Sequence, residues 1–524
     1  MIQRHPIAAA LGLMLATAAL GLLLRPLAPI DETRYLAVAW EMHRSGNWLV
    51  PTKNFALYSD KPPLLFWTIN LVWLVTGISE FAARLVGPGF AALCLWLTAV
   101  LARNLWPEDA GIAGRAAMAL AGLVVFALSG SLTMFDVPLT ASVLLGLIAL
   151  TKAGRDPQAL RPWIGFGAAI ALGVLTKGPV ILFHLLPAAA LLPLWSSDAF
   201  GWRLLGKRLG LGLLVGLGLL SLWLIPAITL GGAEYRNAIL WHQSAGRLTE
   251  SFAHARPWWF FLGLLPLYAF PLLWSPTLWA AGLRAGWMRD RGLRLCLIWA
   301  GAGLVLFSLT SGKQVHYLVP ELPALGLIGA RLARDRPRFG LLPAVALLGL
   351  LAVVAALAGF GLLPLKNAGE LLQPGAMLLV WALLIAALCW FALRRRGLEG
   401  ALILSLGSLL ATNLLIGLTG TGTIFSTHPL AARIAPYQAE GLAYAGMRYH
   451  AEFNFAARLT EPVVELSDPA ALRDWVIAHP HGRIIARSDL AELPWSASET
   501  ILFRNRDYGI WLAENSPFLT SQEP

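Results

Sequence analysis

Two carboxylates, Asp31 and Asp136, lie at the edges of apolar segments, where a charge is costly unless it reaches water or has a function. Asp31 directly follows the first long apolar segment, and Asp136 lies between Phe135 and Val137. A carboxylate in such a place can deprotonate or orient an acceptor group. A structural alternative exists for both, since each could cap the helix that follows it. We therefore predict Asp31 and Asp136 as catalytic residues and keep helix capping as the alternative.

Cations and tyrosines are predicted to lie on the same external membrane face as the two carboxylates. Basic side chains on one face of a membrane protein are typical of a phosphate pocket, because lysine and arginine bind phosphate oxygens. The structural alternatives are an interfacial position for Lys61 and contact with lipid headgroups for Lys177. The predicted phosphate- or substrate-binding residues are Arg34, Tyr35, Tyr58, Lys61, Lys177, His242, Arg247, Lys313 and Tyr317.

The elements that must position these residues are membrane helices. Of the 524 residues 57% are hydrophobic and 13% are charged, which excludes an ordinary soluble protein and predicts an all-α polytopic membrane protein. The net charge of +11 comes mostly from arginines in short loops, so we expect no nucleic-acid binding. The three cysteines, Cys94, Cys296 and Cys389, lie in apolar segments, which argues against a disulfide framework.

Apolar segments of about 20 residues predict thirteen membrane spans. Lysine and arginine concentrate in the loops of one side, which places the N-terminus in the cytoplasm and the C-terminus outside. The longer external loops cover 30–79 and 232–256, and the apolar residues 62–77 are predicted to form a helix at the membrane surface. The predicted spans lie near 7–28, 80–104, 111–129, 133–152, 162–176, 178–197, 207–231, 257–280, 292–310, 316–333, 340–361, 374–393 and 400–420.

Residues 428–524 are much more polar than the preceding 1–427 and are predicted to form a small external α/β domain. A helix over 470–478 is predicted to start at Asp468 and Pro469. Runs rich in β-branched and aromatic residues predict short strands at 463–466, 483–486, 499–503 and 508–512.

No phosphate-binding glycine loop or dinucleotide fingerprint occurs in a suitable context. A nucleotide cofactor or a nucleotide-sugar donor is therefore not indicated, and we expect no cofactor to be required for the chemistry. A transferase that works outside the cytoplasmic membrane needs a donor that has crossed on a lipid.

The order of several motifs resembles that of bacterial GT-C membrane glycosyltransferases, in particular the aminoarabinose transferases that modify lipid A and the protein O-mannosyltransferase-like proteins of glycosyltransferase family 39. The resemblance is strongest over residues 30–90 and extends to Asp136, 175–178 and 311–320. It implies about thirteen spans, a small periplasmic domain and a polyprenyl-phosphate sugar donor.

Carried over by position, the resemblance makes Asp31 the main catalytic carboxylate and Asp136 a second external carboxylate. It gives the handling of donor or acceptor phosphate to six residues, which are Arg34, Tyr35, Lys61, Lys177, Arg247 and Tyr317. Some relatives hold a structural zinc, and here Asp60 and His428 could fill the places of its ligands, for zinc or another divalent metal. Two protein ligands alone make a poor zinc site.

The implied reaction is inverting transfer of a sugar such as 4-amino-4-deoxy-L-arabinose to a lipid A phosphate at the periplasmic face of a bacterial inner membrane. The acceptor could instead be another lipid, a polysaccharide or a protein hydroxyl. We expect a monomer that contacts membrane lipid, the donor and a lipid or glycan acceptor. A transporter of a lipid-linked sugar would show paired inverted halves, which the sequence lacks. A non-catalytic binding protein is the third alternative, and it would keep its partner when Asp31 is replaced.

Overall fold

The computed structural model describes residues 4–196, 200–240, 255–363, 375–490 and 493–520. Chain contacts divide the protein into two compact units. The first unit consists of Met1–Leu24, Ser59–Leu65 and Arg84–Thr419, and the second of Arg25–Tyr58, Phe66–Ala83 and Gly420–Pro524. The second unit thus combines part of the first predicted external loop with the C-terminal region. The predicted domain boundary at residue 428 stays a prediction.

The first unit is helical throughout its described part. Its α-helices are Pro6–Leu24, Val86–Leu105, Ile112–Ala121, Val124–Gly130, Asp136–Arg155, Arg161–Lys177, Ile181–Ala190, Leu192–Trp195, Trp202–Leu230, Gly232–Asn237, Phe260–Tyr268, Pro276–Arg284, Arg291–Leu309, Leu322–Leu332, Leu342–Gly359, Gly375–Arg395, Gly397–Leu402 and Ser408–Thr419. Short 3-10 segments cover Gly178–Val180, Leu272–Trp274 and Val315–Glu321, and a π-helical turn covers Ile403–Gly407.

Among the described residues, nine helices are long and apolar enough to cross a membrane, or ten if one bent pair counts as a single span. The bent pair is Ile112–Ala121 with Val124–Gly130, at an angle of 75°. The protein is therefore a multi-pass membrane protein, but the predicted count of thirteen spans is not confirmed.

Proline and glycine account for most of the difference. The predicted span 257–280 is broken near Pro271, between the helix Phe260–Tyr268 and the 3-10 segment Leu272–Trp274, and the predicted span 316–333 is split near Pro320. Proline removes a backbone donor and clashes with the preceding turn, which favours a break in the helix at Pro271 and Pro320. The predicted spans 162–176 and 178–197 instead form one candidate, Arg161–Ala190, interrupted by a 3-10 turn.

Close helix packing in the first unit depends on glycine. A Cβ on Gly167 would overlap the carbonyl oxygen of Gly212, and a Cβ on Gly216 would lie 3.0 Å from the carbonyl oxygen of Gly167. These glycines bring the helices Arg161–Lys177 and Trp202–Leu230 into backbone contact, as small residues do between membrane helices.

The second unit contains a five-stranded sheet. Its helices are Asp31–Ser45, Leu64–Thr76, Glu80–Arg84, His428–Ile434, Pro469–Ala478 and Pro517–Thr520. The unit boundaries fall inside Leu64–Thr76 and Glu80–Arg84, whose outer residues are counted with the first unit. Its strands are β1 (Thr52–Lys53), β2 (Ala56–Leu57), β3 (Leu442–Ala445), β4 (Val464–Leu466), β5 (Arg483–Arg487), β6 (Glu499–Phe503) and β7 (Arg506–Leu512). β1 and β2 form an antiparallel hairpin.

The sheet has the order β4-β3-β5-β7-β6, with β3 parallel to both neighbours and β7 antiparallel to both of its own. The predicted C-terminal sheet and its four strands are confirmed. The predicted helix is also confirmed, because the Asp468 side chain accepts a hydrogen bond from the Ala471 amide at 2.8 Å and caps it. The strand β3 was not predicted, because its four residues are all buried and show no alternation.

Candidate active site

Asp31 lies in the second unit at the centre of a small cluster of polar side chains. Its Oδ1 atom accepts hydrogen bonds from Arg34 Nη2 and from the Tyr35 hydroxyl, the latter at 3.2 Å. The Tyr35 and Tyr58 rings both pack near Phe66, with centroid distances of 6.4 and 6.3 Å. The structure thus brings together four of the predicted site residues of this unit.

The two polar neighbours of Asp31 keep their protons under ordinary conditions. Burial, together with the nearby Asp31 charge, raises the pKa of Tyr35 well above its ordinary value, so the phenol stays a hydrogen-bond donor. Arg34 carries a fixed positive charge and lies 5.3 Å from the Tyr35 ring centroid. Two protonated donors therefore hold the Asp31 Oδ1 atom in place.

Neither Asp31 nor Asp136 caps a helix, so the capping alternative is wrong for both. The cap positions are occupied by Ile30 and Phe135, which make no side-chain cap hydrogen bond. Each aspartate is the first residue of its helix and accepts hydrogen bonds from other side chains. Both carboxylates still lie in the first helical turn, where the helix dipole favours a negative charge.

The start of the helix Asp31–Ser45 is fixed by the residue after Asp31. The buried Glu32 accepts hydrogen bonds from Arg25 Nη1 and from the Ala28 amide, both at 2.8 Å. An ion pair buried with a second hydrogen bond holds the preceding chain against the first helical turn. These contacts fix the position of the helix start and therefore the position of Asp31 in the cluster.

Further along the same helix, Glu41 holds the β1–β2 hairpin. Its carboxylate accepts hydrogen bonds from Thr52 Oγ1 at 2.8 Å, from the Asn54 and Phe55 amides at 2.8 and 2.9 Å, and from Asn454 Nδ2 at 3.2 Å. Glu41 is only 2% exposed, and its burial raises its pKa. The hairpin leads directly to Tyr58, so Glu41 indirectly helps to place this tyrosine.

The first unit contains a second cluster around Asp136. Lys177 Nζ lies 2.6 Å from Asp136 Oδ1 and 4.9 Å from the centroid of the Tyr317 ring. Lys61 Nζ lies 6.0 Å from the ring centroid of Phe135, the residue before Asp136. The structure therefore joins four predicted site residues, Lys61, Asp136, Lys177 and Tyr317, in this unit.

Lys177 is placed by the break that follows it. Gly178 has a φ of +78°, which favours glycine, and the chain turns there from the helix Arg161–Lys177 into a 3-10 segment. The Lys177 side chain is 14% exposed and that of Asp136 is 4% exposed. A cation between a carboxylate and an aromatic face is held in one place and still presents donors to a phosphate oxygen.

Three other predicted residues remain, and only Lys313 lies in the described part of the chain. Lys313 is buried, and its ammonium donates hydrogen bonds to the carbonyl oxygens of Thr310 and Arg256, the second at 3.1 Å. Those contacts support a structural role, and phosphate binding by Lys313 stays a prediction. His242 and Arg247 lie outside the described residues.

The residues that were predicted to bind zinc do not fit a metal site. In the described part of the chain, no group of three or more histidine, cysteine, aspartate or glutamate side chains could hold an ion. His428 Nε2 instead lies 2.9 Å from Glu80 Oε2, a neighbour that the sequence analysis did not select. A structural zinc site requires about four protein ligands, so Asp60 and His428 do not provide one.

A group of cations around His450 in the second unit was not predicted from the sequence. Burial, followed by the charges of Lys53, Arg34, Arg448 and Arg504, lowers the pKa of His450 to about 4. These cations come from segments far apart in the sequence, and only Arg34 has a recognisable motif around it. No local signal could have brought them together.

Comparison with known families supports the resemblance found in the sequence. The family model described as dolichyl-phosphate-mannose-protein mannosyltransferase matches residues 60–225, a region that contains Lys61, Asp136 and Lys177. The match covers less than half of the chain.

Curated relatives are arabinosyl transferases. The chain is 33% identical over 320 residues to an undecaprenyl phosphate-alpha-4-amino-4-deoxy-L-arabinose arabinosyl transferase of Pseudomonas aeruginosa, which covers 59% of this chain and 56% of that protein. A relative of the same name from Pseudomonas fluorescens is 31% identical over 367 residues, covering 68% of this chain and 65% of the relative. The matched part thus spans less than two thirds of each relative's length.

Solved structures show the fold. The crystal structure of ArnT from Cupriavidus metallidurans bound to undecaprenyl phosphate superimposes with a TM-score of 0.73 at 22% identity, covering 96% of this chain and 97% of that one. The apo state of the same protein gives a TM-score of 0.75 at 20% identity, with 98% of both chains covered. The predicted resemblance to GT-C glycosyltransferases of the aminoarabinose transferase type is therefore confirmed, and the chain has their fold.

Proposed function

We propose that this protein is a membrane glycosyltransferase that moves a sugar, of the 4-amino-4-deoxy-L-arabinose kind, from a polyprenyl-phosphate donor to a phosphate of lipid A. The observation that carries the proposal is that the chain has, on the fold of an ArnT, two sets of one carboxylate, one cation and one tyrosine. They are Asp31, Arg34 and Tyr35 in one unit and Asp136, Lys177 and Tyr317 in the other.

The cations serve the donor phosphate. When the bond between the sugar and the phosphate oxygen breaks, negative charge grows on the leaving polyprenyl phosphate. Fixed cations stabilise such charge without reorganising, which is the largest single contribution in many enzymes. Lys177 suits this role because it is already held by the Asp136 carboxylate, and Lys61 of the same unit supplies a further positive charge.

Asp31 serves the acceptor. Its side chain is 43% exposed, and both of its side-chain contacts use the same oxygen, Oδ1. Among the described residues, Oδ2 makes no hydrogen bond and is available to an acceptor group. If the acceptor is a hydroxyl, Asp31 takes its proton, whereas an ionised phosphate acceptor needs only to be placed.

Asp136 acts through Lys177. Its carboxylate is 4% exposed and is already bound to the lysine at 2.6 Å, so it is poorly available to an acceptor. Its value to the reaction lies in fixing the ammonium. The assignment of Asp136 as a catalytic residue thus stays a prediction, and the geometry supports a positioning role.

The reaction follows as an inverting displacement. An acceptor oxygen attacks the anomeric carbon, the new glycosidic bond forms, and the bond to the donor phosphate oxygen breaks with its electron pair on that oxygen. The acceptor proton, where there is one, goes to Asp31, and polyprenyl phosphate leaves. We place this chemistry at the periplasmic face of a bacterial inner membrane, with the N-terminus cytoplasmic, the C-terminus periplasmic and the protein a monomer.

The proposal is tested by mass spectrometry of lipid A and of total membrane lipids. A strain that lacks the gene is compared with strains that express the wild-type protein or the Asp31→Asn variant. A pentosamine-sized mass addition to lipid A that requires wild-type Asp31 supports the proposal. Unchanged lipid A with an accumulating polyprenyl-phosphate sugar would move the acceptor to another lipid, a polysaccharide or a protein. No change in any lipid would contradict the transferase function.

A further inference from the structure

His184 and Glu321 form a hydrogen-bonded pair in the interior of the first unit. His184 Nδ1 lies 2.5 Å from Glu321 Oε1, and the two residues are only 1% and 4% exposed. The remaining polar atoms, His184 Nε2 and Glu321 Oε2, are buried and make no hydrogen bond within the described residues. Buried ionisable groups in a membrane protein are costly and usually have a function.

The pair joins the two chain segments that carry Lys177 and Tyr317. His184 lies in the helix Ile181–Ala190, directly after the 3-10 turn that follows Lys177. Glu321 is the last residue of the 3-10 segment Val315–Glu321, which contains Tyr317. A bond between His184 and Glu321 therefore fixes the distance between the segments that bring the lysine and the tyrosine together.

Packing around the pair reaches the same tyrosine. The Phe307 ring lies 5.1 Å from the His184 ring and 5.9 Å from the Tyr317 ring, as measured between centroids. A Cβ on Gly303 would overlap the Glu321 carboxylate, so this glycine allows the glutamate to approach the helix Arg291–Leu309 closely. His184, Phe307 and Tyr317 thus form a continuous packed path.

We propose that His184 and Glu321 are positioning residues that hold the Lys177 ammonium between Asp136 and Tyr317, ready for the phosphate of the polyprenyl donor. The inference rests on the proposed function, because it gives Lys177 the donor phosphate as its ligand. Stability alone offers no reason for the pair, since replacing both partners of a buried hydrogen bond by apolar groups of the same shape is often nearly neutral.

The test measures the affinity of the purified protein for undecaprenyl phosphate by intrinsic tryptophan fluorescence, together with its melting temperature without ligand. The variants are Glu321→Gln, which keeps the shape, and the apolar double variant His184→Leu/Glu321→Met. We expect both to bind undecaprenyl phosphate about tenfold more weakly at a nearly unchanged melting temperature. In transfer assays KM for the donor should rise while kcat changes little.

Ser405→Ala is the matched control. It removes another buried hydrogen bond of the first unit, from Ser405 Oγ to the Gly122 carbonyl oxygen at 2.6 Å. The control should melt at a lower temperature and bind undecaprenyl phosphate as the wild type does.

Three results would overturn the inference. If the His184 and Glu321 variants behave like the Ser405 control, the pair is structural. If they lower kcat and leave donor affinity unchanged, the pair does not act through the donor phosphate. A wild-type protein that does not bind undecaprenyl phosphate would overturn the proposed function as well, so the two failures differ. Should the double variant not fold, Glu321→Gln decides.

Discussion

The two candidate carboxylates differ in what surrounds them. The Asp31 side chain is 43% exposed and keeps one oxygen available, whereas that of Asp136 is 4% exposed and is bound to Lys177. The same residue type at the same helical position therefore has two different uses. An accessible carboxylate can meet a substrate, and a buried, paired carboxylate can fix a cation.

This difference predicts that Asp31→Asn has the largest effect. The amide places the acceptor and Arg34 less firmly, so kcat should fall by about 10²-fold with a phosphate acceptor. With a hydroxyl acceptor, whose proton the amide cannot take, the fall should reach about 10⁴-fold. Affinity for undecaprenyl phosphate should change little. Initial rates of sugar transfer and a binding titration measure the two quantities separately.

The matched control for this variant is Asp489→Asn. Asp489 is also a half-exposed aspartate of the second unit bound to an arginine, Arg487, at 2.6 Å. Its loss should leave the transfer rate unchanged. Equal losses in both variants would show that the effect of Asp31→Asn is a general one of surface charge.

The scaffold of the Asp31 helix gives the second prediction. Glu41→Ala removes a carboxylate that accepts four hydrogen bonds. The Asn54 and Phe55 amides then lose the acceptor that they have in the wild type. We expect a loss of about 3 kcal/mol in the free energy of unfolding of the second unit. Thermal or denaturant unfolding measures this loss, and Glu41→Gln should lose less. A stable Glu41→Ala variant would mean that the hairpin is held by other contacts.

In the first unit, Lys177→Met should weaken the binding of undecaprenyl phosphate by about 10- to 100-fold, because a hydrogen bond to a charged group is lost. Lys177→Arg keeps the charge and should retain part of the affinity. Unchanged affinity in Lys177→Met would remove Lys177 from the donor site.

The smallest effect concerns pH. The pKa of His450 is lowered from 6.5 to about 4, so the folded protein binds this proton less readily than the unfolded chain does. The contribution of neutral His450 to the free energy of unfolding is present above about pH 6.5 and is lost as the pH falls through about 4. In His450→Gln the melting temperature should therefore fall less over this pH range. An equal fall in the variant and the wild type would contradict the lowered pKa.

Local signals in the sequence predicted local structure well. Asp468 and Pro469 correctly marked a helix start, because capping depends on neighbouring residues. The span count was not confirmed, since mean hydropathy alone does not reveal the helix breaks near Pro271 and Pro320.

Residue types also identified Asp136 and Lys177 as candidates, but not their ion pair across 41 positions. His428 was selected for a metal, yet its neighbour Glu80, 348 positions away, was not. Such pairs depend on tertiary packing, which leaves no periodic signal in the chain. His184 and Glu321 could have been noticed as ionisable residues in apolar segments.

The most direct test of the difference between the two carboxylates is a double-mutant cycle on undecaprenyl phosphate affinity. It compares Asp136→Asn, Lys177→Met and the variant that carries both changes. If Asp136 acts through Lys177, the double variant should bind no more weakly than Lys177→Met alone. Losses that simply add would contradict this account and would give Asp136 a contact of its own with the donor.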